Sequence, residues 1–82
     1  MSYKLSIITP QGLIFEDTVD SVAVSGLMGG FEVFSNHEPI VAALKEGQVK
    51  VRFQGGEKVF NTQSGVLEVK PDHQVLVLVD SA

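Results

Sequence analysis

The two histidines, His37 and His73, are the side chains best suited to proton transfer or metal binding in this sequence, and 36 residues separate them. Each has one acidic neighbour, Glu38 beside His37 and Asp72 beside His73. Adjacent residues on a strand point to opposite faces, so neither pair chelates. No His-x-x-x-His spacing places two imidazoles on one helix face, and there is no cysteine. A tetrahedral zinc site therefore lacks ligands. With no cysteine, the nucleophiles are serine and threonine. These need a base held by a third group. No Gly-x-Ser-x-Gly elbow occurs, and Gln63-Ser64-Gly65 reads as a turn between strands. The histidines are expected in surface turns, and neither a catalytic group, a metal nor a cofactor is expected.

Two further segments could carry chemistry. Gly26-Leu27-Met28-Gly29-Gly30 is glycine-rich, but a phosphate loop needs Gly-Lys-Ser/Thr after four intervening residues and then a helix. Here no lysine follows. The expected structure is a wide β-connection relieved by its glycines. Leu27 and Met28 at its tip call for cover, either under the fold or from a partner, since exposed apolar tips lose solvation and methionine suits adaptable surfaces. Lys70 precedes a turn, as the modified lysine of lipoyl or biotinyl carriers does. The flanks Val69 and Pro71-Asp72 do not match those carriers, and a solvated lysine is expected.

These residues must be positioned by strands. Tyr3, Leu5 and Ile7 alternate with Lys4 and Ser6, and Val49, Val51 and Phe53 alternate with Lys50 and Arg52, the period of half-buried strands. Pro10-Gln11-Gly12 and Gln54-Gly55-Gly56-Glu57 read as hairpin turns. Val22 and Val24, Phe31 to Phe34, Lys58 to Thr62 and Val66 to Val69 supply further strands. Val75-Leu76-Val77-Leu78-Val79 is apolar at every position, which predicts a central strand covered on both faces. Pro39 to Gly47 reads locally as a short helix, with proline at its first position and glycine past its end. At 82 residues and a net charge of −4, the chain is one acidic domain, 1–82. Its six basic residues are scattered, leaving a phosphate backbone little to hold. No apolar run approaches the roughly 20 residues of a membrane span, and the N-terminus is too short and polar for a signal h-region.

Several segments together resemble one family. Leu5-Ser6-Ile7-Ile8-Thr9-Pro10-Gln11-Gly12 with Phe15 is similar to its opening hairpin, and Val19-Asp20-Ser21-Val22 to its next strand. Asn36 to Gly47 resembles its Gly-His-Ala-Pro-Leu segment running into a Leu-Lys-Pro-Gly turn. Ser64-Gly65-Val66-Leu67-Glu68-Val69 and Asp80-Ser81-Ala82 complete the match, which spans essentially the whole chain in order. The family is the epsilon subunit of F-type ATP synthase, called delta in mitochondria. The resemblance implies an all-β fold, a ten-stranded β-sandwich of two five-stranded sheets, and turns Ile40–Leu44 from helix to strand. It implies a non-catalytic subunit of the central stalk that links the gamma subunit to the c ring during proton-coupled ATP synthesis. It also implies a peripheral place on the cytoplasmic side of an energy-transducing membrane, or its organellar equivalent. His37 and Ala42 correspond to gamma-facing positions, and Leu27, Met28, Gly30 and Glu32 to the loop that meets the c ring.

The chain departs from that pattern in places. Asn36 and Glu38 replace the usual glycine and alanine, and Gly30 stands where an acidic residue is usual, with Glu32 two positions on. The family's two C-terminal helices, which restrain the rotor and in some members bind ATP, would begin after Ala82, so neither property is assigned to residues 1–82. A free-standing β-sandwich module for a peptide or a sugar is the rival reading. The absence of tryptophan and the single tyrosine argue against a sugar site.

Overall fold

The computed structural model describes Met1–Ala82. Nine strands form in chain order: β1 Tyr3–Thr9, β2 Gly12–Val19, β3 Ser21–Gly26, β4 Gly29–Val33, β5 Ile40–Leu44, β6 Gly47–Phe53, β7 Gly56–Thr62, β8 Gly65–Val69 and β9 Val75–Val79. There is no helix. The local helix signal over Pro39–Gly47 is overridden: Ile40 to Leu44 pair antiparallel with Val69 to Gly65, a ladder that a helix would forgo.

The strands run β2-β1-β9-β8-β5-β3-β6-β7, with β4 branching from β3. Nine strands in one continuous sheet stand where ten in two separate five-stranded sheets were expected. The join is at β3. One of its edges is shared lengthwise, with Ser21 to Ala23 pairing to β6 and Gly26 to Leu44 of β5. Two backbone bonds reinforce the join, Leu27 N–H to the Ala43 carbonyl at 2.9 Å and Lys45 N–H to the Ser25 carbonyl at 3.0 Å. The sheet curls there into a sandwich, and the layers enclose one core.

That core holds fifteen buried apolar side chains, among them Leu5, Ile7, Val22, Val51, Leu67 and Val77. They sit at alternating strand positions, as the period-2 segments require. The far edges, β2 and β7, meet across the mouth of the sandwich through an edge-on Phe15–Phe60 contact with centroids 5.7 Å apart. Lys58 lies over both rings, 5.8 Å from Phe15 and 5.4 Å from Phe60. Both distances are within cation–π range.

Val75–Val79 is central in sheet order, between β1 and β8, but only one of its faces is fully covered. Val75, Val77 and Val79 enter the core, whereas Leu76 is half-buried and Leu78 is 43% exposed. The expectation of two covered faces fails because nothing within residues 1–82 packs on the outside of this layer. We expect Leu67→Ala to cost about 2–5 kcal/mol and Leu78→Ala under about 1 kcal/mol in urea unfolding. Equal losses would contradict this division of faces.

Tyr3 is buried and its hydroxyl donates to the Val33 carbonyl at 2.7 Å, tying β1 to the end of β4. Burial pushes its pKa well above the ordinary value of 10.0. The unfolded chain therefore loses this proton at a lower pH than the folded one. The stabilisation is complete below about pH 10 and declines as the pH rises above it. In denaturation measured from pH 8 to 11, Tyr3→Phe should flatten that alkaline decline. A profile identical to that of the unsubstituted chain would place the titration elsewhere.

Candidate functional site

The hydroxyls bond to carboxylates or backbone and never to an imidazole. Ser6 donates to Glu16 at 3.1 Å, Ser21 to Glu32 at 2.6 Å and Ser64 to Asp80 at 3.2 Å. His37 and His73 are brought together by the loops before β5 and β9. His73 Nδ1–H reaches the His37 carbonyl at 3.4 Å, and His37 Nδ1–H reaches the Glu38 carbonyl at 2.7 Å. Sequence separation gave no hint of this meeting. Both turns contain a residue at positive φ, Asn36 at 62° and His73 at 69°. Asparagine and histidine tolerate that region better than most residues. The histidines thus link two turns, with no third donor converging on them.

The glycine-rich segment is tighter than expected. Gly26 pairs with Gly29, so Leu27 and Met28 alone form the hairpin tip, and Gly29 and Gly30 belong to β4. Gly29 has φ 131°, a value open to glycine and closed to most side chains. Gly26 serves a different need. A Cβ there would meet the Gly29 carbonyl oxygen first, at 2.5 Å, and the Phe31 ring at 2.8 Å, so its absence permits both the tight hairpin and the placement of Phe31. The two tip residues are not packed under the fold: Leu27 is 63% and Met28 99% exposed.

Beside the tip is a groove of about 540 Å³ between the hairpin and β5, lined by Leu27, Met28, Gly30, Phe31 and Val41–Ala43, without a charged side chain. Of the residues expected to face partners, Leu27, Met28, Gly30 and Ala42 therefore share one groove. His37 stands apart, beyond the other end of β5. Glu32 is also removed from the tip. Its carboxylate is held by Ser21 and lies 4.0 Å from Arg52, which also bonds Glu57 at 3.4 Å.

Sequence reasoning missed the outer face of the β5-β8-β9-β1-β2 layer. Register aligns Ala43 with Val66, Val66 with Leu78, Leu78 with Ile8 and Ile8 with Leu13. These side chains form one apolar row across five strands, all partly or well exposed. The adjoining row is mixed, Val41 and Leu76 alternating with Glu68, Ser6 and Glu16, the last 3.4 Å from Lys4. A continuous apolar strip, widened by Val41 and Leu76 in the next row, marks a contact surface. The Leu27–Ala43 backbone bond joins this row to the hairpin tip. The one signal in the sequence was the full apolarity of Val75–Val79.

The profile of the ATP synthase delta/epsilon chain β-sandwich domain matches residues 2–82. The chain belongs to this family. It is 38% identical over 80 residues to the ATP synthase epsilon chain of Chlorobium limicola, covering 96% of this chain and 91% of that one. It is 40% identical over 80 residues to that of Staphylococcus haemolyticus, covering 96% of this chain but 59% of the relative. The two relatives thus differ in how much of their length lies outside the match. Among solved structures, a chain of the Euglena gracilis mitochondrial ATP synthase superposes with a TM-score of 0.88 at 19% identity, covering 95% of this chain and 50% of that one. A chain of the Tetrahymena thermophila mitochondrial ATP synthase central stalk and c-ring superposes at 0.85 and 14% identity, covering 99% and 65%. These confirm the family fold.

Leu27 and Met28 contribute little to the stability of a family sandwich whose tip is open to solvent. Leu27→Ser and Met28→Ser should each change unfolding stability by under about 0.5 kcal/mol. A loss above about 2 kcal/mol would mean that the tip packs against the body.

Proposed function

We propose that this domain is a structural element of the rotary ATP synthase central stalk, linking the gamma subunit to the c ring during proton-coupled ATP synthesis. It transmits torque through its surfaces and makes or breaks no bond. The observation that carries the reading is the apolar row Leu13–Ile8–Leu78–Val66–Ala43, too continuous to be left in water by a chain with a core of its own. Membership of the family says which kind of assembly would cover it.

In this reading, residues 1–82 act as one rigid body. Gamma covers the apolar row; Ala42 lies on the other side of β5, opposite Leu67 and beside the tip groove, and His37 lies beyond the far end of β5. Leu27, Met28 and Gly30 meet the c ring. Glu32 serves that contact from behind, since its carboxylate is already engaged by Ser21. The domain would sit at the membrane through these proteins, on the side that carries the catalytic head. No helix is long and apolar enough to cross a membrane.

Calorimetry with purified gamma tests the reading. Val66→Asp or Leu78→Glu should weaken binding at least about tenfold, the equivalent of ~1.4 kcal/mol, because a charge would be buried against apolar surface. Glu32→Gln should leave gamma binding nearly unchanged. Unaltered affinity in both outer-face variants would refute the assignment of gamma to this row.

A further inference from the structure

β4 is an edge strand. It pairs with β3 on one side, from Gly26–Gly29 to Val22–Val33, and no strand lies on its other side. Exposed edges are ordinarily guarded by lysine, proline, a bulge or a covering element. The outermost edges of the path, β2 and β7, have such guards. β2 has a bulge opposite Ile7 and Ile8, β7 carries Lys58, and Phe15, Phe60 and Lys58 draw these two edges together. β4, Gly29-Gly30-Phe31-Glu32-Val33, has no lysine, no proline and no bulge; its guards are its five-residue length and one charge, Glu32, which Ser21 already engages. Exposed apolar side chains stand just beyond its two ends, Met28 at 99% and Phe34 at 59% exposure.

We propose that this edge pairs with the same edge of a second copy of the chain, antiparallel about a twofold axis through Phe31. In that register Phe31 lies opposite Phe31, Gly30 opposite Glu32, Gly29 opposite Val33 and Met28 opposite Phe34. Each larger side chain then meets a glycine or an apolar partner, and the two exposed end residues cover each other. Opposite residues must share a face, so the register can slide only in steps that preserve it. One step sets Glu32 opposite Glu32, and the other sets Glu32 opposite Met28. Both are worse, since directly opposed like charges destabilise a strand pair. The contact is isologous and closes at two copies.

The pairing is short. The Tyr3 hydroxyl already holds the Val33 carbonyl, so Val33 cannot offer it to Gly29 of the other copy, and the open stretch is Gly30–Glu32, centred on Phe31. An interface of this extent falls in the weak, transient class, and the dimer forms in a concentration-dependent way. While it persists, it covers Met28 and withholds the hairpin tip from other partners.

Sedimentation equilibrium on the intact chain alone, from about 10 μM to about 1 mM, tests this, with no need of gamma or the c ring. Reversible dimerisation is expected over that range. Two substitutions at Gly30 decide the register. Its backbone is not at positive φ, and an added side chain meets only the Val24 carbonyl, at 3.4 Å. Gly30→Glu sets two carboxylates opposite Glu32 of the other copy and should weaken the dimer several-fold. Gly30→Lys sets two ammonium groups there and should strengthen it. Circular dichroism on both variants confirms that the fold is kept. A chain that stays monomeric throughout, or two substitutions that shift the equilibrium in the same direction, overturns the proposal.

Discussion

The shared edge of β3 is the constraint on which the rest of this structure depends. Ser21 to Ala23 take their hydrogen bonds from β6, and Gly26 takes its partner from β5, so one strand belongs to both layers. The chain between β5 and β6 must therefore turn within Lys45 and Glu46, where the Lys45–Ser25 backbone bond fixes the corner. Leu44 enters the core at this corner, and Gly26 leaves room for Phe31 on the neighbouring strand. Once the corner is set, alternation assigns every later side chain to the inside or the outside, because a slip of one residue would turn a whole strand inside out.

The apolar face outside the core is a consequence of that assignment. With Val75, Val77 and Val79 committed to the core, Leu76 and Leu78 must point out. The same holds for Ile8 beside Leu5 and Ile7, and for Val66 beside Leu67. Burying these side chains would be favourable, yet the domain has no further layer within residues 1–82. A body built in this way offers shape and apolar surface rather than reacting groups. Its bonded hydroxyls are held by carboxylates or backbone carbonyls and its two imidazoles by backbone carbonyls. Such a body can pass force between partners while its own core stays unchanged.

Much of the fold was legible because the strands alternate cleanly. Tyr3–Ile7 and Val49–Phe53 announce which residues enter the core, and Gln54-Gly55 announces its turn. Ile40–Leu44 was not legible locally, since Ala42, Ala43 and Leu44 are good helix formers and only the ladder to β8 overrides them. Two-sided cover for Val75–Val79 was a sound inference from composition that failed because an uncovered face reads the same as a covered one. Leu27 and Met28 were recognised as a tip needing cover, but the tightness of the hairpin depends on the Gly26–Gly29 pair. The apolar row could not be read in advance. Its members come from five strands, and only cross-strand register brings Leu13, Ile8, Leu78, Val66 and Ala43 into line. For the same reason the meeting of His37 with His73 and the capture of Glu32 by Ser21 were invisible in the sequence.

The central claim is that a protein partner covers the outer apolar row. The absence of cysteine permits a direct measurement, because a single Leu78→Cys thiol would be the only one in the chain. Its rate of reaction with a polar maleimide would be followed in the free domain and after addition of saturating gamma subunit. The account expects fast labelling of the free domain and only a small fraction of that rate in the complex. A thiol that reacts equally fast in a demonstrably formed complex would show that gamma binds elsewhere and that the row is not its surface.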